Sequence, residues 1–161
     1  MNNVSFSKQL IKGKVAEHVF EQMLRDSGNF TVLSFGYENV LPELAHQQDT
    51  IVKRETMETI RTAPDYVVIN RTTKEVNLIE VKYRTSLNIE DVLKLAKRML
   101  ESWRTAHLFI ATPDGFYSDE VEKIVNEKGV ITPLNHKQIP KELQESYIKL
   151  LMEFMDGVNH N

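Results

Sequence analysis

Asp65, Glu80 and Lys82 are the residues of this sequence whose types and spacing best suit a catalytic site. Two carboxylates held close together repel each other, and one of them takes up a proton unless a cation neutralises the pair. Mg²⁺ and Mn²⁺ accept carboxylate oxygens, and they usually keep several waters and bind substrate phosphate oxygens as well. The metal would acidify a bound water that Lys82 can orient or help to deprotonate. The three residues therefore predict phosphodiester hydrolysis; a solvated charge pair on an exposed strand is the alternative.

Two predicted strands bring these residues together. PDYVVIN at 64–70 and EVNLIEVKYR at 75–84 are rich in β-branched and aromatic residues, and the turn sequence RTTK separates them. If the turn is centred in the middle of RTTK, Asp65 stands opposite Glu80, and the Cβ atoms of such partners lie about 4.5–5.5 Å apart. The lysine two positions after Glu80 points to the same face. A register slip of one residue would move Asp65 to the other face.

The first helix is predicted from about Ser7 to Ser27, with Gly28 closing it. Its apolar stripe consists of Val15, Ala16, Val19, Phe20, Met23 and Leu24. Glu17 lies at the edge of this stripe, where a carboxylate can reach the end of a sheet on which the helix packs. We therefore expect Glu17 to be a third acidic group of the site and Glu21 to be solvated; an ordinary boundary glutamate is the alternative for Glu17.

The remaining elements predict an α/β fold. Strands are predicted at 30–36, 106–112 and 130–134. Helices are predicted at 50–61 (short, inside the connection 37–62), at 89–103 (amphipathic), at 118–129 and at about 140–156. The apolar side of the last helix carries Leu143, Tyr147, Leu150, Leu151 and Phe154. This order predicts a single domain over 1–161, with a mixed central sheet flanked by helices on both faces.

The motifs resemble those of the PD-(D/E)XK nuclease superfamily, which has the restriction-endonuclease-like fold. Pro64-Asp65 followed by Glu80-Val81-Lys82 matches the pattern of its signature, and Gly13 to Glu17 (GKVAE) is similar to its first motif. Phe116-Tyr117-Ser118, a following helix, Gly129 and VITPL are similar to the tail of restriction-type and Holliday-junction-resolvase-type members. The similarity covers about residues 7–134.

This resemblance implies an αβββαβ core and a nuclease. The expected activity is a metal-dependent endonuclease on DNA, of a restriction, repair or junction-resolving type, with Mg²⁺ or Mn²⁺ as cofactor. It implies metal binding by Asp65, Glu80 and Glu17 and a catalytic role for Lys82. A non-catalytic module that keeps the fold and binds nucleic acid or a partner protein is the alternative.

Other basic and aromatic residues are candidates for contact with DNA. Tyr83 and Arg84 follow Lys82 directly, and arginine can grip a phosphate bidentately. Lys12 and Lys14 shortly precede Glu17 and are expected to flank the same cleft, with surface charge as an equal alternative for both. Lys94, Lys97 and Arg98 are predicted to be solvated, with phosphate contact as the alternative. Lys53, Arg54 and Arg61 in the connection 37–62 are predicted to be surface residues as well, with contact to nucleic acid as the alternative.

Composition sets the remaining expectations. The 161 residues carry a formal net charge of -3, which argues against binding nucleic acid through bulk positive charge alone. The absence of cysteine excludes disulfides, thiol nucleophiles and cysteine-bound zinc. Neither an apolar leader nor a membrane span is evident, so a cytoplasmic protein is expected. The expected partners are DNA and either a second copy in a homodimer or another protein of a DNA-processing complex.

Overall fold

The computed structural model describes residues 3–39 and 53–160. In chain order its elements are α1 (Asn3–Asp26), β1 (Phe30–Ser34), a 3-10 helix (Tyr37–Asn39), α2 (Arg54–Arg61), β2 (Tyr66–Asn70), β3 (Val76–Tyr83), α3 (Ile89–Leu100), β4 (His107–Thr112), β5 (Gly115–Glu120), α4 (Val121–Asn126) and α5 (Lys141–His160). None of these helices is long and apolar enough to cross a membrane.

The five strands of the described residues form one mixed sheet in the order β1-β2-β3-β4-β5. β3 and β4 are parallel, and the other neighbouring pairs are antiparallel. A parallel pair needs a crossover connection, which α3 supplies between β3 and β4. The pairing of β1 with β2 resolves how the strand predicted at 30–36 joins the sheet.

The β2–β3 hairpin has the predicted register, with Val67 opposite Leu78. The turn itself explains this register. Oδ1 of Asn70 accepts hydrogen bonds of 3.0 and 3.1 Å from the backbone N–H groups of Thr72 and Thr73. Lys74 completes the turn with φ of 66°, a left-handed conformation.

Helices cover both faces of the sheet, as predicted. Under α1 and α5, one core contains Val19, Phe20, Met23, Tyr66, Val68, Ile79, Val81, Phe109, Leu151 and Met155. Under α3 and α4, the other contains Val92, Ala96, Met99, Leu108, Ile110, Val121 and Ile124. Tyr66, Val68, Ile79 and Val81 point into the first core. On the other face of these two strands, Leu78 packs half-buried against the second core, and Val76 is exposed.

The segment after β4 differs from the prediction. The expected helix at 118–129 is shorter, from Val121 to Asn126, because Gly115–Glu120 forms strand β5 against β4. The expected strand at 130–134 does not join the sheet by a ladder; one isolated bridge joins Tyr117 to Pro133. Asp119 holds this segment, since its carboxylate accepts hydrogen bonds from the backbone N–H and the hydroxyl of Thr132.

Three helices also differ in extent or phase. α1 begins at Asn3 rather than Ser7, and the last helix runs on to His160. Of the apolar side expected for the last helix, Leu151 is buried but Phe154 is 55% exposed. Ile89, expected on the apolar side of α3, is exposed as well. Of the connection 37–62, the predicted helix is present as α2, and residues 40–52 lie outside the described part of the chain.

Candidate active site

The open end of the β2–β3 hairpin carries two carboxylates side by side. Asp65 immediately precedes β2, and the register that pairs Tyr66 with Ile79 brings Asp65 next to Glu80. Oδ2 of Asp65 accepts a hydrogen bond of 2.8 Å from the backbone N–H of Val81. This bond holds the Asp65 carboxylate against the strand that carries Glu80.

Lys82 forms an ion pair with Glu80, whose side chain is only 14% exposed. Burial works against the charged form of Lys82, but the neighbouring carboxylates of Glu80 and Asp65 outweigh it and raise the pKa of Lys82. The lysine is therefore held protonated. In that form it can donate hydrogen bonds to a phosphate oxygen or to a water molecule.

The carboxyl of Asp65 is kept from ionising easily. Burial raises its pKa first, and the charge of Glu80 raises it further. The hydrogen bond from Val81 and the charge of Lys82 lower the pKa, but they offset this increase only in part. A cation bound between the two carboxylates would offset their repulsion and favour the ionised form of Asp65.

Glu17 reaches the same end of the sheet from α1. Its neighbour Ala16 is buried, and Tyr66 donates a hydrogen bond from its hydroxyl to the backbone carbonyl of Glu17 at 3.2 Å. Burial raises the pKa of the Glu17 carboxyl, and the charge of Asp65 raises it further. Nζ of Lys14 donates to Glu17 at 3.0 Å and to both carboxylate oxygens of Glu38 at 2.7 and 2.9 Å.

The expectation that Glu21 is solvated is wrong. Its side chain is 20% exposed, much like the 21% of Glu17. Arg25 donates two hydrogen bonds to Oε1 of Glu21, at 2.8 and 3.1 Å, and a third to the backbone carbonyl of Val32. Burial raises the pKa of the Tyr66 hydroxyl, and the charge of Glu21 raises it further. Glu21 thus belongs to a polar contact between α1 and the sheet.

All seven residues predicted for catalysis or binding line one cleft of about 400 Å³. They are Lys14, Glu17, Asp65, Glu80, Lys82, Tyr83 and Arg84. The cleft lies where the hairpin end meets α1 on one face of the sheet and α3 on the other. It is large enough for a part of a substrate and not for a whole duplex.

Two of the residues predicted to hold phosphate already have partners. Arg84 donates from Nε to Asp91 at 2.6 Å and from Nη1 to the carbonyl of Tyr83 at 2.9 Å. Lys14 is held by Glu17 and Glu38, as described above. These residues are at the cleft, but their positive charges are largely compensated within the protein.

Sequence reasoning did not assign Tyr37 and Glu38, which reach the cleft from the 3-10 helix. Arg61 and Arg98, predicted to be solvated with contact to nucleic acid as the alternative, line the cleft from α2 and α3. The helix pattern contained a signal for Arg98, because it follows Leu95 by three positions and shares its side of the helix. The pairing of Glu38 with Lys14 had none, since it joins two elements far apart in sequence.

The donor set fits a divalent cation with oxygen ligands. Asp65 and Glu80 supply two carboxylates, and Mg²⁺ is commonly held by one or two carboxylates together with waters and substrate phosphate. Within residues 3–39 and 53–160, no group of three or more His, Asp and Glu side chains is arranged to hold a metal ion. Glu17 and Glu80 each face a lysine instead, so a three-carboxylate site would require these ion pairs to open.

Comparison with known proteins does not identify the chain: no family model and no curated protein matches it. Membership of the PD-(D/E)XK superfamily therefore stays a prediction that rests on the sequence motifs.

Proposed function

We propose that the chain is a metal-dependent endonuclease of the PD-(D/E)XK type that hydrolyses phosphodiester bonds of DNA. The observation that carries this proposal is the convergence of Asp65, Glu80 and Lys82 at the end of one hairpin, in a cleft that Glu17 also lines. The mixed sheet with helices on both faces gives these groups a rigid support.

The residues have distinct roles in this proposal. Asp65 and Glu80 hold the cation, and Glu17 takes part when its contact with Lys14 opens. A bound Mg²⁺ or Mn²⁺ would offset charge on the phosphate and acidify a water molecule. Lys82, held protonated by Glu80, donates to the phosphate or to the attacking water and so fixes its direction of approach.

A non-catalytic module is the second candidate, and one observation favours it. The ion pairs of Glu80 with Lys82 and of Glu17 with Lys14 satisfy these charges within the protein. A protein that had lost its metal would be stable in this arrangement. Binding of DNA without cleavage in the presence of Mg²⁺ and Mn²⁺ distinguishes this candidate from the enzyme.

The test is incubation of the protein with plasmid, four-way junction and single-stranded DNA, with Mg²⁺, with Mn²⁺ or with EDTA. Cleavage in metal and none in EDTA is expected. Asp65→Asn, Glu80→Gln and Lys82→Ala should each lower the cleavage rate by about 10²-fold or more. Asn at 65 can still accept the bond from Val81, so the hairpin should stay folded.

Glu75→Gln is the matched control, because Glu75 is an exposed carboxylate in the turn of the same hairpin. It should cleave like the wild type. Full activity of Glu80→Gln would refute the proposed site.

A homodimer is proposed for a duplex or junction substrate. One site of this type cuts one strand, so two copies related by a two-fold axis would most simply cut both. Sedimentation combined with an assay that separates nicked from linear plasmid tests this. A stable monomer that only nicks would point to a different protein partner.

A further inference from the structure

We infer that the phosphates of DNA on either side of the scissile bond are bound by Lys12, Arg61 and Arg98, called the rim cations below, rather than by Lys14 and Arg84. This inference rests on the proposed function and specifies how that site holds its substrate. All three side chains line the cleft. They come from three different helices, α1, α2 and α3.

Three other cations of the cleft are paired with carboxylates. Lys14 is shared by Glu17 and Glu38, Lys82 faces Glu80, and Arg84 is held by Asp91 at 2.6 Å. A phosphate that approached Lys14 or Arg84 would have to displace a carboxylate partner. These two cations position acidic groups of the cleft better than they bind a polyanion, and Lys82 is left to the scissile phosphate or the attacking water.

The rim cations are differently placed. The side chains of Lys12 and Arg98 make no hydrogen bond or ion pair with any residue in 3–39 or 53–160. Arg61 has only a contact of 3.7 Å with Glu58 between two side chains that are each more than half exposed. Exposed pairs of this kind are worth little, so a phosphate can replace Glu58 at small cost.

The positions of the helices set the sides from which the rim cations reach the Asp65 and Glu80 carboxylates. α1 packs on one face of the sheet and α3 on the other, so Lys12 and Arg98 approach the carboxylates from opposite sides. α2 lies on the side of α3, because Nε1 of Trp103, just beyond that helix, donates to the carbonyl of Thr59 at 3.1 Å. A nucleic acid strand that contacts both sides must cross the Asp65–Glu80 pair.

Charge adds a further reason for local cations. The whole chain has a net charge of -3, so long-range attraction does not collect DNA on its surface. Affinity must then come from a few cations that each release counterions from the phosphate backbone. The rim cations are the ones at this cleft whose charge is least compensated.

The test measures the affinity for a short fluorescent DNA duplex, and its salt dependence, in an Asp65→Asn background that does not cleave. Lys12→Ala, Arg61→Ala and Arg98→Ala should each weaken binding about three- to tenfold and reduce the slope of log K against log salt by about 1. Arg98→Lys should restore the slope, because it keeps the charge.

Each substitution has a matched control on its own helix that does not line the cleft: Lys8→Ala for Lys12, Arg54→Ala for Arg61 and Lys97→Ala for Arg98. The controls should keep both affinity and slope. Equal effects of rim and control substitutions, or a change of slope with Lys14→Ala and Arg84→Ala instead, would overturn the inference.

The same rim substitutions in a protein that keeps Asp65 can be assayed for cleavage, and this assay separates the inference from the proposed function. If the wild type cleaves and the rim variants bind and cleave equally well, the inference fails and the nuclease proposal stands. If the wild type neither binds nor cleaves DNA, both fail. Thermal midpoints equal to that of the parent protein show that the variants are folded.

Discussion

Glu17 and Glu21 lie one turn apart on α1 and are equally buried, yet they contact different groups. Glu17 lines the cleft, and its pKa is raised by burial and then by the charge of Asp65. Glu21 is held by Arg25 and faces the hydroxyl of Tyr66. The first contact concerns the site, and the second concerns the packing of the helix on the sheet.

We therefore predict opposite consequences for two conservative changes. Glu17→Gln should lower the cleavage rate by about tenfold or more while leaving the thermal midpoint unchanged. Glu21→Gln should lower the free energy of unfolding by about 1 kcal/mol, because it weakens a partly buried charged hydrogen bond, and should leave cleavage unchanged. Urea unfolding and plasmid cleavage on the same preparations measure both. A similar profile for the two variants would contradict the assigned contacts.

His107 makes stability depend on pH. It begins β4, its Nδ1 is buried without a hydrogen-bond partner among the described residues, and its Nε2 is 4.0 Å from Glu120. Burial lowers the pKa of His107 below its ordinary value of 6.5, and Glu120 and Asp119 oppose this only in part. Between the folded and unfolded pKa values, the unfolded chain binds one proton more than the folded protein.

The free energy of unfolding should therefore fall as the pH falls from about 6.5 to the lowered pKa of His107 in the folded protein. Below that pKa, His107 should cause no further loss of stability. His107→Gln removes that contribution. Urea unfolding between about pH 7 and pH 5 should show a smaller loss of stability for the variant than for the wild type. A larger loss in the variant would mean that the folded protein favours the protonated imidazole.

At the scale of elements, the junction between α4 and α3 depends on one glycine. Gly129 lies three residues after the end of α4 with φ of +96°, and its backbone N–H donates to the carbonyl of Ile124 at 2.8 Å. A Cβ atom at this position would lie 2.4 Å from the carbonyl oxygen of Ile89, which begins α3. Neither the backbone angle nor the space suits another residue.

Gly129→Ala should therefore lower the free energy of unfolding by about 1–3 kcal/mol, through backbone strain and displacement of α3. Gly157→Ala in α5 is the control, since nothing lies within 4 Å of the added methyl group. It should be neutral or stabilising by up to about 1 kcal/mol, because alanine favours the helix more than glycine does. A tolerated Gly129→Ala would show that α3 and α4 can separate at no cost.

At the scale of the whole molecule, metal binding should be coupled to folding. Asp65 immediately precedes β2 and Glu80 belongs to β3, so a cation between them would tie together the part of the sheet that contacts α1. A ligand that binds only the folded protein stabilises it, by about 2.7 kcal/mol at a concentration 100 times its Kd. Mg²⁺ should therefore raise the thermal midpoint of the wild type.

Asp65→Asn should abolish the increase caused by Mg²⁺. Without metal, this variant should be at least as stable as the wild type, because it removes a buried carboxyl that repels Glu80. Differential scanning calorimetry with Mg²⁺ and with EDTA measures both effects. An equal rise in the variant would locate metal binding elsewhere on the protein.

Local features of the sequence determined the hairpin and its carboxylates. The predicted register depended on a turn centred in RTTK; the structure has this register, and Asn70 closes the turn. The stripe on α1 likewise predicted that Glu17 reaches the sheet. These features are decided within one helix or between neighbouring strands, where periodicity and turn geometry leave few alternatives.

Only the tertiary structure decided which charges meet across elements. Residues 118–120 look helical by pattern, yet they form β5 because β4 offers an unpaired edge. Lys14 is compensated by Glu38, and Arg98 reaches the cleft while Phe154 stays exposed, through the way the helices pack on the sheet. Such contacts join residues far apart in the chain, and their partners depend on the relative positions of whole elements, which local patterns do not specify.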